Sequence, residues 1–117
     1  MKSYIRIGVM MLVLGIFQPL AAKDWSQNTL AEVQQAAAQG DSEAQLALGV
    51  RYDQGIGVTQ DAQLAAAWFR QAAEQGNTQA QFNLGVMYDN GQGVIHDAQQ
   101  AVAWYRKAAE QEYAQAQ

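Results

Sequence analysis

Hydrophobic residues recur along the chain with two helical spacings. Ala44, Leu48 and Tyr52 are four residues apart, so they share one face if this segment is an α-helix. A second group stands at i, i+3, i+4, i+7 and i+8, the spacing of a buried helical stripe, and consists of Ala65, Trp68, Phe69, Ala72 and Ala73. The pattern predicts a pair of helices, over about residues 42–52 and 61–75.

The whole pattern is repeated after 36 positions. Residues 40–75 and 76–111 align without a gap, and most of the aligned residues are identical. A fixed period in this range indicates stacked units, each of which buries its apolar face against a neighbour. We therefore predict an all-α fold, an α/α superhelix (solenoid) of two full helix pairs. Its predicted structural core consists of Leu48, Tyr52, Trp68, Ala72, Leu84, Tyr88, Trp104 and Ala108.

Aspartate and glycine residues mark the expected ends of these helices. Aspartate caps helix N-termini, and glycine adopts the left-handed backbone of a tight reversal without steric cost. The predicted turn and cap residues are Gly55, Gly57, Asp61, Gly76, Gly91, Gly93 and Asp97. Gly49 and Gly85 instead fall within helices, where glycine costs about 1 kcal/mol relative to alanine. Their presence in both units predicts a close crossing between two helices.

Partial units flank the two full ones. Thr29 and Glu32 form a capping-box pattern that opens a helix over about residues 29–39, predicted to cap the front of the stack. Residues 112–117 look like the truncated start of a third unit. Glu112 stands where Gly76 stood, so we expect the last helix to continue past Glu112 and the apolar end of the stack to be incompletely covered.

Residues 1–22 have the pattern of a secretory signal peptide. Lys2 and Arg6 precede an apolar run over residues 7–17, which is too short to span a bilayer, and Ala22 lies at the expected cleavage site. An uncleaved anchor is the alternative, and it is the only route to a membrane that the sequence offers. We expect residues 23–117 to form the repeat domain of an exported protein, periplasmic or secreted.

The composition argues against several kinds of site. The formal net charge is −4, and it becomes −6 when Lys2 and Arg6 leave with the signal. An acidic chain without a basic cluster is a poor partner for nucleic acid. The chain has no cysteine and a single histidine, His96, so a transition-metal site is not expected. The two serines after residue 22 do not suggest a nucleophile triad. We expect no cofactor and no enzymatic activity.

The segments 76–88, 91–94 and 101–109, together with Asp97, resemble the Sel-1-like repeat, a relative of the tetratricopeptide repeat. The resemblance implies a scaffold or adaptor for protein complexes, which binds through the concave face of its first helices and the grooves between repeats. It brings no fixed catalytic residue. Some secreted relatives with cysteine pairs are linked to β-lactam binding or hydrolysis, and this cysteine-free chain matches them poorly. A cell-wall or β-lactam-related hydrolase and a non-functional remnant of a longer array remain the alternatives.

Positions that differ between the two first helices are the candidates for contacts with a partner. They lie off the alanine, leucine and tyrosine stripe, and an ordinary solvated face is the competing interpretation. The candidates are Ala47, Arg51, Gln54, Asn83, Met87 and Asn90. We expect a protein or peptide partner in the groove formed by the first helices, with apolar contact at Met87. Self-association through the incomplete C-terminal repeat is a second expected mode of contact.

Overall fold

The computed structural model describes residues 24–116, so the predicted signal peptide lies outside the described residues. A short 3-10 helix at Trp25–Gln27 is followed by five α-helices. They are α1 (Leu30–Ala38), α2 (Ser42–Gln54), α3 (Ala62–Glu74), α4 (Thr78–Asn90) and α5 (Ala98–Ala116). No strand occurs between residues 24 and 116. The prediction of an all-α repeat fold with an N-terminal capping helix is confirmed.

Each helix packs mainly against the next one in the chain, from α1 with α2 through to α4 with α5. The core between them forms two clusters. The front cluster joins α1 to α2 through Val33, Ala37, Ala44 and Leu48. The second cluster joins α3, α4 and α5, and its buried residues are Ala65, Ala66, Phe69, Ala72, Ala73, Ala80, Leu84, Met87 and Trp104. Five of the nine buried residues of the second cluster are alanine, so the helix backbones can approach closely there.

The mid-helix glycines lie at the tightest of these contacts. A Cβ added to Gly49 would lie 2.6 Å from the ring of Phe69, and one added to Gly85 would lie 2.9 Å from the ring of Tyr105. In both units, therefore, an aromatic ring of the second helix rests on the backbone of the first helix. The predicted close crossing is confirmed.

Side-chain caps begin the helices. Asp61 accepts a hydrogen bond from the backbone N–H of Leu64 at 3.0 Å, and Thr29 and Glu32 form the predicted capping box. Asp97 accepts from the backbone N–H groups of Gln99 and Gln100. These bonds satisfy backbone donors that the first turn of a helix leaves without a partner.

Glycines in the left-handed region end the helices. Gly55 and Gly91 are C-cap residues with φ of 71° and 65°, and Gly40 and Gly76 reverse the chain with φ of 98° and 97°. The predicted end of α2 at residue 52 was two residues too early, because α2 continues until Gly55 stops it.

The two repeat tryptophans occupy different environments. Trp104 is 8% exposed and belongs to the second cluster, whereas Trp68 is half-buried at the edge of the front cluster. Trp104 packs toward the 13-residue α3 and α4, while Trp68 packs toward α1, which has only 9 residues. The predicted core position at Trp68 is therefore peripheral.

Candidate functional site

A pocket of about 290 Å³ opens on a half-buried side of α2. Leu46, Ala47 and Val50 form its floor, since residues three or four apart on a helix share one face. Trp25 and Ile56 add walls from the N-terminal segment and from the loop after α2. Ile56 is 48% exposed, so it stands at the mouth rather than in the core. The result is an apolar site on the first helix of the first repeat.

Arg51 fixes the N-terminal wall of this pocket. Its Nη2 donates hydrogen bonds to the carbonyl oxygens of Trp25, at 3.4 Å, and Asn28. Trp25 opens the 3-10 helix Trp25–Gln27, and its carbonyl also accepts a hydrogen bond from the backbone N–H of Asn28, the C-cap residue. Arg51 also lines the pocket, while its Nη2 is engaged by carbonyl groups of its own chain. The Arg51 side chain therefore both holds the N-terminal segment in place and lines the pocket.

Two carboxylates stand at the rim. Hydrogen bonds from Ser26, from its side chain and then from its backbone N–H, hold the pKa of the exposed Asp24 below its usual value. Glu43 accepts a hydrogen bond from the Asn77 side chain at 2.9 Å. An apolar floor with acidic groups at the edge favours a ligand that combines a hydrophobic side chain with positive charge.

The structure brings only some of the six predicted partner-binding residues together. Ala47 and Arg51 line the pocket, whereas Gln54 and Asn90 are exposed near helix ends and do not. Asn83 is half-buried and accepts a hydrogen bond from Gln79 at 2.9 Å. The predicted role of Met87 was wrong. Its side chain is 3% exposed within the second cluster, because α4 is buried by α3 on one side and α5 on the other.

Sequence reasoning missed four apolar residues of the site. Leu46 and Val50 lie off the predicted stripe. Large apolar side chains at such positions are not typical of a solvated helix face. Ile56 aligns with Gln92 of the second unit, a difference that could have pointed to the site. Trp25 lies outside the repeats, and no spacing rule connects it to α2.

Neither a metal-binding cluster nor a membrane-spanning helix occurs in residues 24–116. No group of three or more His, Asp or Glu side chains there could hold a metal ion. None of the described helices is both long and apolar enough to cross a membrane. His96 lies exposed in the loop before α5, next to the capping Asp97.

Stacked antiparallel helix pairs with an exposed pocket on a first helix define a helical-repeat protein. The family model of the Sel1 repeat matches residues 42–77 and again residues 78–113, and the chain belongs to that family. The matched units have the same 36-residue period as the predicted units 40–75 and 76–111, with a frame that starts two residues later. Sel1 repeats are helical modules of a non-catalytic scaffold type that generally mediate protein interactions.

Solved structures agree with this assignment. A Sel1 repeat protein from Oxalobacter formigenes is 49% identical with a TM-score of 0.66, over 67% of this chain and 23% of that one. The protein c5321, a protective antigen of uropathogenic Escherichia coli strains with an SLR fold, is 51% identical with a TM-score of 0.68, over 71% of this chain and 18% of that one. The cysteine-rich protein B of Helicobacter pylori is 25% identical with a TM-score of 0.66, over 68% of this chain and 60% of that one.

This chain therefore spans less than a quarter of the first two structures and 60% of the third. No curated protein matches it.

Proposed function

We propose that this protein is an exported binding module that holds a polypeptide partner in the pocket on α2. The observation that supports the proposal is the pocket itself, an apolar floor of Leu46, Ala47 and Val50 on a first helix, with Asp24 and Glu43 at the rim. Membership of the Sel1 repeat family supports a polypeptide as the ligand. The described residues carry eleven acidic and four basic side chains, which favours a partner with positive charge near the contact.

In the proposed complex, one large apolar side chain of the partner enters between Trp25, Val50 and Ile56. A lysine or arginine next to that side chain then lies near Asp24. Full burial of one such apolar side chain contributes about 1.5–3 kcal/mol. A dissociation constant of about 1 μM requires about 8 kcal/mol. The pocket alone is therefore an anchor, and we expect the partner to make further contacts outside it.

The exported location is part of the proposal. It is supported by the signal pattern of residues 1–22, with its basic start, apolar run and small residues before Lys23. The related protein c5321 is described as a protective antigen, and this description of a relative supports the proposal of an exported chain. We place this chain in the bacterial envelope or at the host interface, as an adaptor with a second contact to another copy of itself.

Site-specific crosslinking in cells tests the pocket. The complete sequence is expressed with a photo-crosslinking amino acid at Ile56, and in a matched strain at Ile95, a loop isoleucine that is 90% exposed and lies outside the pocket. We expect a protein adduct from position 56 that is absent from position 95. Mass spectrometry of the purified protein reports at the same time whether the chain begins at Lys23.

The captured protein is then purified and its affinity measured. Ile56→Arg should raise the dissociation constant at least about 10-fold, because a charge would be buried at the pocket mouth. Ile95→Arg should leave it unchanged. Equal effects of the two substitutions, or the same adducts from both positions, would contradict the assignment of the pocket. Turnover of peptidoglycan or a β-lactam by the purified protein would favour the hydrolase alternative.

A further inference from the structure

The last repeat presents an apolar surface that the described chain does not cover. We call it the end face and define it by Phe82 of α4 and by Val102, Tyr105, Ala109 and Glu112 of α5. Phe82 and Val102 are 50% and 51% exposed, and the rings of Phe82 and Tyr105 are 5.4 Å apart between centroids. A pocket of about 520 Å³ lies between the two helices at this surface.

Comparison of the two repeats shows what kind of element fits the end face. Ala66, Phe69 and Ala73 of α3 are 3%, 2% and 2% exposed, because α4 packs against α3. The positions 36 residues later are Val102, Tyr105 and Ala109, which are exposed, half-buried and exposed. The end face is thus the surface of α3 without the helix that covers it. Its shape therefore suits another helix.

Residues 112–116 do not fold back over this surface. After α3, Gly76 reverses the chain with φ of 97° and leads into α4. The corresponding residue after Glu110 and Gln111 is Glu112, and a non-glycine residue pays about 1–2 kcal/mol for a left-handed backbone. Accordingly α5 remains helical to Ala116, a length of 19 residues. Residues 112–116 extend along the helix axis instead of folding back.

We propose that the end face binds α5 of a second copy of this chain, with the two α5 helices antiparallel about a two-fold axis near Ala109. This inference rests on the self-association proposed above and names its contact. The positions Val102, Tyr105, Ala109 and Glu112 are spaced by three, four and three residues, the spacing of a helix–helix seam. Ala109 is small and exposed, so it permits close approach at the crossing point.

Charge supports a second copy as the occupant. An axis at Ala109 places Arg106 of each copy level with Glu112 of the other copy. Glu110 of that other copy lies within one helical turn of the same Arg106. The ammonium of Lys107 already lies 4.8 Å from the ring centroid of Trp104, so Arg106 is the basic group that α5 offers to a partner. A parallel pairing in register would instead align like charges. The two-fold arrangement uses the same patch on both copies and closes without leaving a free end face.

The absence of cysteine from the sequence allows a direct geometric test. The complete chain is expressed with Ala109→Cys and, as the matched control, with Ala103→Cys, another exposed alanine of α5 that lies off the end face. A residue near the axis meets its own equivalent, within the Cα separation of about 4.4–6.8 Å that a disulfide requires. We expect mild oxidation to crosslink Ala109→Cys into a dimer at least about 10-fold faster than Ala103→Cys.

Light scattering of the cysteine-free protein measures association over a concentration series. Val102→Arg should raise the dimer dissociation constant at least about 10-fold, because the charge enters the contact twice, whereas Ala103→Arg should not change it. Both side chains are exposed in the single chain, so neither substitution disturbs the core.

Three outcomes would overturn the inference, and they have different meanings. A dimer whose two cysteine variants crosslink equally would retain self-association but refute this contact. A protein that stays monomeric at every concentration and does not crosslink would refute both. Capture of a different protein by the end face, without pairing of copies, would assign the surface to another partner. None of these results bears on the pocket of α2, which lies on the first repeat.

Discussion

Gly93 offers a quantitative test of how the two repeats are joined. It lies in the loop between α4 and α5 with φ of 70°, and a Cβ added there would overlap the carbonyl oxygen of Ala62 and lie 2.5 Å from its carbonyl carbon. Gly57 is the equivalent residue of the first repeat, with φ of 75°, but the nearest atom to its added Cβ is Arg51 Nη1 at 3.8 Å. The two positions therefore share a backbone conformation and differ in their surroundings.

Alanine substitutions at Gly57 and Gly93 separate two contributions to the free energy of unfolding, the backbone penalty and the steric overlap. Gly57→Ala should cost about 1–2 kcal/mol, the penalty of a left-handed backbone for a residue with a Cβ. Gly93→Ala should cost that amount plus about 1–3 kcal/mol, because the atoms it meets belong to the backbone of α3 and cannot rotate away. A domain of this size has about 5–15 kcal/mol of stability in total. Each kcal/mol lowers the melting temperature by about 4–8 °C.

Urea and thermal unfolding, followed by far-UV circular dichroism, measure both variants against the unmodified protein. The decisive quantity is the difference between the two alanine variants, since the backbone penalty cancels. Gly93→Ala should be less stable than Gly57→Ala by at least about 1 kcal/mol. Equal stabilities would show that the loop of the second repeat does not press on the first turn of α3, and the described contact between repeats would then be wrong.

Three further predictions concern the aromatic contacts. Gly49→Ala should destabilise the protein by about 1–3 kcal/mol in urea unfolding, despite the better helix propensity of alanine, and Phe69→Leu in the same background should recover part of the loss. Trp104→Ala should cost about 3–5 kcal/mol in thermal unfolding and more than Trp68→Ala, which removes a half-buried side chain. Burial, and next the charge of a nearby aspartate, raise the pKa of Tyr105 above its usual value of 10.0. The stability linked to this group should be present below pH 10 and lost as the pH rises through the folded pKa, and Tyr105→Phe should remove that pH dependence from urea unfolding.

Most of the fold could be predicted because the sequence contains two copies of the same 36-residue repeat. A stripe such as Ala80, Leu84 and Tyr88 specifies a helix face, and its recurrence after 36 residues specifies a neighbour for that face. Helix ends were less certain, since α2 runs to Gln54 and not to Tyr52. The end of the apolar stripe was a poorer guide to the end of the helix than the left-handed glycine that follows it.

Burial was harder to predict than helix position, because it depends on neighbours that repeat spacing does not specify. Trp68 and Trp104 hold the same place in their units, yet Trp68 is half-buried at the edge of the front cluster and Trp104 is buried within the second cluster. The same limitation produced the error at Met87. An amphipathic pattern identifies one buried face, whereas α4 is contacted by helices on two sides.

The pocket on α2 was only partly predictable, because two of its walls come from outside the repeated helices. Arg51 reaches carbonyl groups of Trp25 and Asn28, more than twenty positions earlier in the chain. Hydrogen bonds of this kind depend on tertiary contact and leave no periodic trace in the sequence. The observation that Arg51 and Met87 differ was correct, but it could not reveal which of the two faces outward.

The differences between the repeats explain how one backbone design yields two unlike surfaces. At the position shared by Arg51 and Met87, the first repeat holds a guanidinium that fixes the N-terminal segment beside the pocket, and the second repeat holds a thioether that seals the core. At the position shared by Gly76 and Glu112, the first repeat turns back to receive α4, and the second continues outward and leaves the end face open. Neither change disturbs the helix pairs, since each lies outside the Ala-Leu-Tyr stripe. Recognition in this protein is therefore expected to follow the substituted positions, while the identical positions maintain the stack.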